Sequence, residues 1–169
     1  MDWLDVMNEE HAVVLKLVAA LRAYSRKLGA PQAVPDGALD EILFLTTNFS
    51  DKCHHAKEET VLFPLLRKKS LKDSKIIDVL LAEHEQGRAF VRAIKAGDKV
   101  VENASGYCDL IPKHIAKENA LFNEAQGLLS GEEKSGLFEG FEEIEERETG
   151  GGRHGEYAER VEEILKKVV

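Results

Sequence analysis

A chain of 169 residues with 43% hydrophobic content is long enough to bury one good core, and its length argues for a single domain with at most an appendage. The formal charge of −8 comes from acidic and basic residues mixed along the sequence, so no basic stripe tracks a phosphate backbone and nucleic acid is not an expected partner. The start "MDWLDVMNEEH" lacks a positive n-region and a long apolar run, no window approaches about 18 continuous apolar residues, and Cys53 and Cys108 make no disulfide framework; a soluble, cytoplasmic protein with free thiols and no membrane partner is expected.

Proline and glycine are sparse, and the stretches between them carry helical rather than alternating apolar spacing, which predicts an all-α fold. The first helix runs from about Trp3 to Leu28, with Met7, Val14, Leu15, Val18 and Leu21 on one face, and stops at "GAPQAVPDG". A second runs from about Gly37 to "RKKS". The third starts near Asp73-Ser74, read as its N-cap, and carries Ile77, Leu80, Leu81, Phe90, Val91 and Ile94 before "AGD"; the fourth ends near Gly131. Long helices with short connections predict an antiparallel up-down-up-down four-helix bundle over residues 1–130. Residues 131–169 read as an acidic linker, "FEGFEEIEERE", a flexible break, "TGGGRHG", and a C-terminal docking helix with Tyr157, Val161, Ile164, Leu165 and Val168 on one stripe.

One pattern occurs twice. "HHAKEETVLF" from His54 and "HIAKENALFN" from His114 share His, Ala, Lys and Glu at positions one, three, four and five. His55 is replaced by Ile115 and Glu59 by Asn119, so His54, Glu58, His114 and Glu118 are the inward-facing set. Their i,i+4 spacing stacks each His–Glu pair on one helical face, about 6 Å apart. The other helix of each predicted hairpin carries one histidine, His11 in "EEHAVV" and His84 in "AEHEQG". Midpoints between these groups fall near residues 33 or 34, 70 and 100, in or beside the predicted turns, which puts four histidines and two glutamates in one layer.

A lone His-x3-Glu is usually a solvated surface pair, but six polar groups in one buried layer are costly unless something pairs them. A metal does so economically. Two carboxylates can bridge two cations while neutral imidazoles fill terminal positions, and nitrogen and oxygen donors without thiolate suit iron, manganese or zinc. Carboxylate-bridged pairs in helical bundles favour two irons over manganese or zinc.

With these residues in place, the sequence resembles the hemerythrin-like, or HHE cation-binding, domain over about residues 5 to 130, on "H…HHAKEETVLFP…AEHE…HIAKEN". The resemblance implies a four-helix bundle around an oxygen-bridged non-haem di-iron centre, with His11, His54, Glu58, His84, His114 and Glu118 as ligands and the two glutamates bridging. Oxygen-carrying hemerythrins have a fifth histidine one turn after the third-helix one, where this chain has Arg88. Four histidines and two carboxylates look closer to the iron-centre-repair proteins, which are associated with nitric oxide and oxidative stress. The expected ligands are therefore O2, NO or peroxide, with an electron donor as a further partner. An iron-sensing or iron-handling module whose fold responds to metal is the alternative.

The remaining polar residues carry simpler expectations. His55 and Glu59 read as supporting or partly exposed, Glu10, Glu83 and Glu85 as solvated or orienting an imidazole, and His154 as solvated. Cys53 and Cys108 read as small buried hydrophobes, and Pro64 and Pro112 as bends near the metal layer. Tyr24 and Tyr107 read as core packing.

Overall fold

The computed structural model of the protein describes residues 1–28 and 34–169. The turn expected near residues 33 and 34 falls in part outside these described residues. Six helices and no strand occur among them. Helix α1 (Trp3–Lys27) starts at a reciprocal cap in which the Asp2 carboxylate accepts from the Leu4 and Asp5 amides while Asp5 accepts from the Asp2 amide. Helix α2 is one continuous helical run, 38–66. It opens as α-helix over Ala38–Leu45, widens to π-helix over Thr46–His55 and Glu58–Leu62, and closes over Phe63–Leu66. Helices α3 (Ile76–Lys95), α4 (Val100–Leu128), α5 (Gly131–Thr149) and α6 (Arg153–Val168) follow.

Both prolines sit in helices that continue past them. Pro112 has no amide for the Cys108 carbonyl, and Arg22 Nη2 donates to that carbonyl instead at 3.0 Å. Pro64 follows the second π-helical stretch, where the Phe63 amide reaches back to the Glu58 carbonyl. The N-cap of α3 is Lys75 rather than Asp73 or Ser74; Asp73 Oδ1 instead accepts the Lys75 amide at 2.9 Å.

The segment read as an acidic linker is helix α5. Most of its acidic residues face water, but Leu137, Phe141 and Ile144 recur at helical spacing and are buried, and Ser130 with Glu133 caps its start. The glycine-rich break is a tight reversal, with Gly150 and Gly152 at φ of 72° and 79°, a region that disfavours any side chain.

Two apolar clusters flank a polar layer. Helix α1 passes from Trp3 and Met7 in one cluster, through His11, to Val14 and Leu17 in the other. Helix α2 runs the opposite way, from Ile42 and Phe49 through His54 and Glu58 to Leu62 and Leu66. Helix α3 goes from Ile77 and Leu80 through His84 to Ile94, and α4 from Ile111 through His114 and Glu118 to Leu121 and Ala125. Leu15, placed on the buried stripe by its spacing, is exposed, and Leu17 is buried instead. Helix α5 closes the Trp3 cluster with Leu137 and Phe141, while α6 closes the other with Tyr157, Val161, Ile164 and Val168. Among the described residues, no helix is long and apolar enough to cross a membrane.

Candidate metal centre

The polar layer brings together all six residues singled out by the repeat, each at most 3% exposed. The His114 Nε2 lies 2.7 Å from Glu118 Oε1, and His11 Nε2 lies 3.1 Å from Glu118 Oε2. On the facing carboxylate, Glu58 Oε1 is 3.5 Å from His54 Nε2 and Glu58 Oε2 is 3.2 Å from His84 Nε2. Each carboxylate thus offers one oxygen to the His11–His54 side and one to the His84–His114 side.

The outer nitrogen of every imidazole is tied down, which fixes ring orientation and leaves Nε2 free to face inward. His54 Nδ1 donates to Glu10 Oε2 and His114 Nδ1 to Glu83 Oε2, both at 2.8 Å. His11 Nδ1 donates to Asn119 Oδ1 at 2.9 Å and His84 Nδ1 to Glu59 Oε1 at 2.7 Å. The two halves are wired alike. The glutamate preceding each lone histidine holds the paired histidine of its own hairpin and bonds a lysine three residues further on, Lys57 or Lys117. Position six of each repeat, Glu59 or Asn119, holds the lone histidine of the other hairpin. Phe122 stacks on His11 and Phe63 on His84, at 5.7 Å and 6.0 Å between centroids.

Electrostatically the layer calls for cations. All four oxygens of Glu58 and Glu118, and His11 Nε2, are buried without an aligned hydrogen-bond partner. Burial, and then the facing charge of Glu118, push the Glu58 carboxyl well above the ordinary carboxylate range. Burial opposes the charge on Glu118 as well, but His11, His114 and His84 outweigh it and hold its carboxyl well below that range. Burial likewise opposes a charge on His84, yet Glu118, Glu58 and Glu59 raise it to about 11. Burial depresses His54. Burial and the neighbouring groups therefore favour the protonated forms of Glu58 and His84, and a bound cation would favour the opposite. The donors are imidazole and carboxylate without thiolate, a set that fits iron, manganese or zinc.

A family model, the hemerythrin HHE cation-binding domain, matches residues 3–125, which span α1 through most of α4 and contain every group in the layer. The chain belongs to this family. It is also 25% identical to an uncharacterized protein of Mycobacterium bovis and to uncharacterized proteins of two Mycobacterium tuberculosis strains, in alignments covering 97% of this chain and 69% of each relative. No solved structure matches.

Several residues of this hemerythrin-family chain do more than the sequence suggested. His55 is buried, its ring stacked on His84 at 3.9 Å between centroids. Glu10 is buried rather than solvated and accepts from His54, Lys57 and His154. Lys57 is fully buried, bonding Glu10 and, at 3.1 Å, Glu145 of α5. His154 bonds Glu10 at 2.8 Å and so connects α6 to the histidine layer. Arg88, where a fifth histidine was missed, bonds Asp51, Glu59 and Glu85. One signal in the sequence pointed to part of this: a glutamate precedes each lone histidine, and a lysine occupies position four of both repeats. Cys53 and Cys108 are buried free thiols, and Tyr107 is buried in the apolar cluster beside a cleft of about 150 Å³ whose wall includes Ser50, His55 and Arg88.

Proposed function

We propose that this protein is a non-haem di-iron protein that binds or reacts with O2, peroxide or NO. The observation that carries the reading is the pair of buried carboxylates, each presenting one oxygen to either side of the layer, with imidazole Nε2 atoms facing them from both sides. On this reading His11, His54, Glu58, His84, His114 and Glu118 are ligands and the glutamates bridge. Iron bound there supplies electrons and coordination positions for a small molecule. The chain's own groups do the rest. Glu10, Asn119, Glu59 and Glu83 hold the imidazoles in the tautomer that leaves Nε2 as a donor, and the apolar clusters above and below exclude bulk water. The alternating order in which α1 to α4 pass between those clusters supports an antiparallel up-down-up-down bundle, with residues 131–169 as an appended pair of helices. A reducing, cytoplasmic setting belongs to the same proposal.

An iron-sensing or iron-handling role is favoured by one observation: Glu10 bonds both His54 and His154, so the metal layer and α6 share a hydrogen-bonded residue. A single experiment separates the readings. Ferrous-loaded protein is prepared without oxygen, its iron counted, and its visible spectrum followed as air is admitted, with the helicity of the metal-free form measured alongside. Two irons per chain with an oxygen-dependent band support small-molecule chemistry. Loss of α6 helicity on iron removal supports sensing, and failure to hold two irons refutes the di-iron reading.

A further inference from the structure

The two hairpins carry matching polar groups with one exception that lies against the centre. Ile115 is buried in the apolar cluster, whereas its counterpart His55 turns into the metal layer. A ring nitrogen of His55 and ligand atoms of Glu58, His84 and His114 all lie within 4.8 Å of one another, as do those of His11, His54, Glu58 and Glu118. The ring is 6.0 Å from that of His114 and within 16° of parallel to that of His84. His55 is oriented as the other four histidines are: its Nδ1 faces Asp51 Oδ1 at 3.4 Å, and Arg88 Nε holds that same oxygen at 2.8 Å. Arg88 thus occupies the position one turn beyond His84 and anchors the carboxylate behind a different histidine. In an α-helix, neighbouring residues diverge by about 100°, which would send His54 and His55 to different surroundings. The wider π-helical turn over Thr46–His55 lets consecutive histidines share the layer.

We propose that His55 is a direct metal ligand, the third imidazole on the His84–His114 side, so that the two metal positions are unequal: His55, His84 and His114 on one side, His11 and His54 on the other. This rests on the dinuclear reading above. The alternative role for His55 is packing against His84, and replacement by phenylalanine distinguishes the two because it keeps a flat ring for stacking but removes the donor nitrogen.

The test compares wild-type protein with His55→Phe and His55→Ala, each loaded anaerobically with ferrous 57Fe. Iron per chain is counted after challenge with a chelator, Mössbauer spectra are recorded, and far-UV circular dichroism of the metal-free forms checks the fold. The expected result is two irons in two distinct doublets of equal area for the wild type. In both variants one iron should be held at least tenfold more weakly, and one doublet should be lost or shifted while the other stays. If His55→Phe retains both irons with unchanged doublets, His55 is a packing residue and the proposal is overturned while the di-iron reading stands. If the wild type holds fewer than two irons, the dinuclear reading falls and the proposal with it. Should His55→Phe misfold, His55→Trp, which also keeps a flat ring for stacking but offers no donor nitrogen to a metal, is decisive on the same readouts.

Discussion

Replacing Lys57 by methionine tests how the buried ion pairs around the histidine layer are balanced. The side chain is fully buried and its ammonium bonds Glu10, which is 1% exposed, and Glu145. Lys57→Met keeps the volume but leaves the Glu10 carboxylate with two imidazole donors, His54 and His154, and no ammonium in contact. Breaking a buried ion pair by removing one partner costs about 3–5 kcal/mol. For a chain of this length that lowers Tm by roughly 6–20 °C. The related substitution Lys117→Met removes the same chemistry from the second hairpin, but Lys117 is 40% exposed and pairs with Glu83 near the surface, so its loss should cost no more than about 1 kcal/mol. Urea unfolding of the metal-free proteins at pH 7, followed by circular dichroism, reads both. The pH dependence has a defined sign. Burial opposes the Glu10 charge, but His154, His54 and Lys57 overcome it and depress the carboxyl below its unfolded value of 4.5. The stability it contributes is therefore present above that value and lost as pH falls, so the Lys57→Met deficit is largest near neutrality and narrows in acid. Adding Glu10→Gln removes the stranded charge and should recover part of the loss. Equal costs for Lys57→Met and Lys117→Met, or a double variant weaker than Lys57→Met by the full cost of Glu10→Gln, would refute the reasoning.

Three further outcomes follow from the geometry. Loading the metal-free protein at pH 7 should release at least one proton per chain, from His84, which its carboxylate neighbours raise to about 11, as measured with a pH indicator in weak buffer; metal affinity should climb with pH by about tenfold per unit for each proton displaced. Release of none would contradict the assigned protonation. Burial holds the Cys53 thiol at about 12 and Cys108 at about 11, so at pH 8 a thiol reagent should label neither in folded protein and both in denaturant; rapid labelling of either in the native state would show that the burial is wrong. A Cβ on Gly140 would lie 2.8 Å from Val61 Cγ1, a stiff β-branched side chain on α2. Gly140→Ala should accordingly destabilise the wild type yet stabilise a Val61→Ala background by up to about 1 kcal/mol through helix propensity, and additive effects would exclude the close approach.

How much of the centre was legible depended on which periodicity held. His54, Glu58, His114 and Glu118 were readable because i,i+4 spacing survives in both repeats, and His11 and His84 because residues at one level of adjacent helices lie equally far from their turn. The acidic run after Gly131 misled because its composition resembles a linker, while the buried Leu137, Phe141 and Ile144 that make it a helix are outnumbered by charge. The supporting shell was half visible: glutamates at 10 and 83 and lysines at 57 and 117 match between hairpins, but a solvated face has the same composition, and only packing distinguishes them.

The mismatches between the repeats carry the most structural information. Glu59 and Asn119 differ in charge, which argued against a shared role, yet both supply an oxygen to the lone histidine of the opposite hairpin, a task that any short polar acceptor performs. Phe63 lies nine residues after His54 and Phe122 eight after His114, so a strictly α-helical alignment sets them out of register. The π-helical turn over Glu58–Leu62 absorbs the extra residue and returns Phe63 to the stacking position over His84 that Phe122 holds over His11. The same widening upstream admits His55 beside His54. A helix of uniform pitch would keep the two halves equivalent; the local change in pitch preserves the wiring of four histidines while adding a fifth imidazole to one side alone, and that asymmetry is invisible to any reading that assumes 3.6 residues per turn.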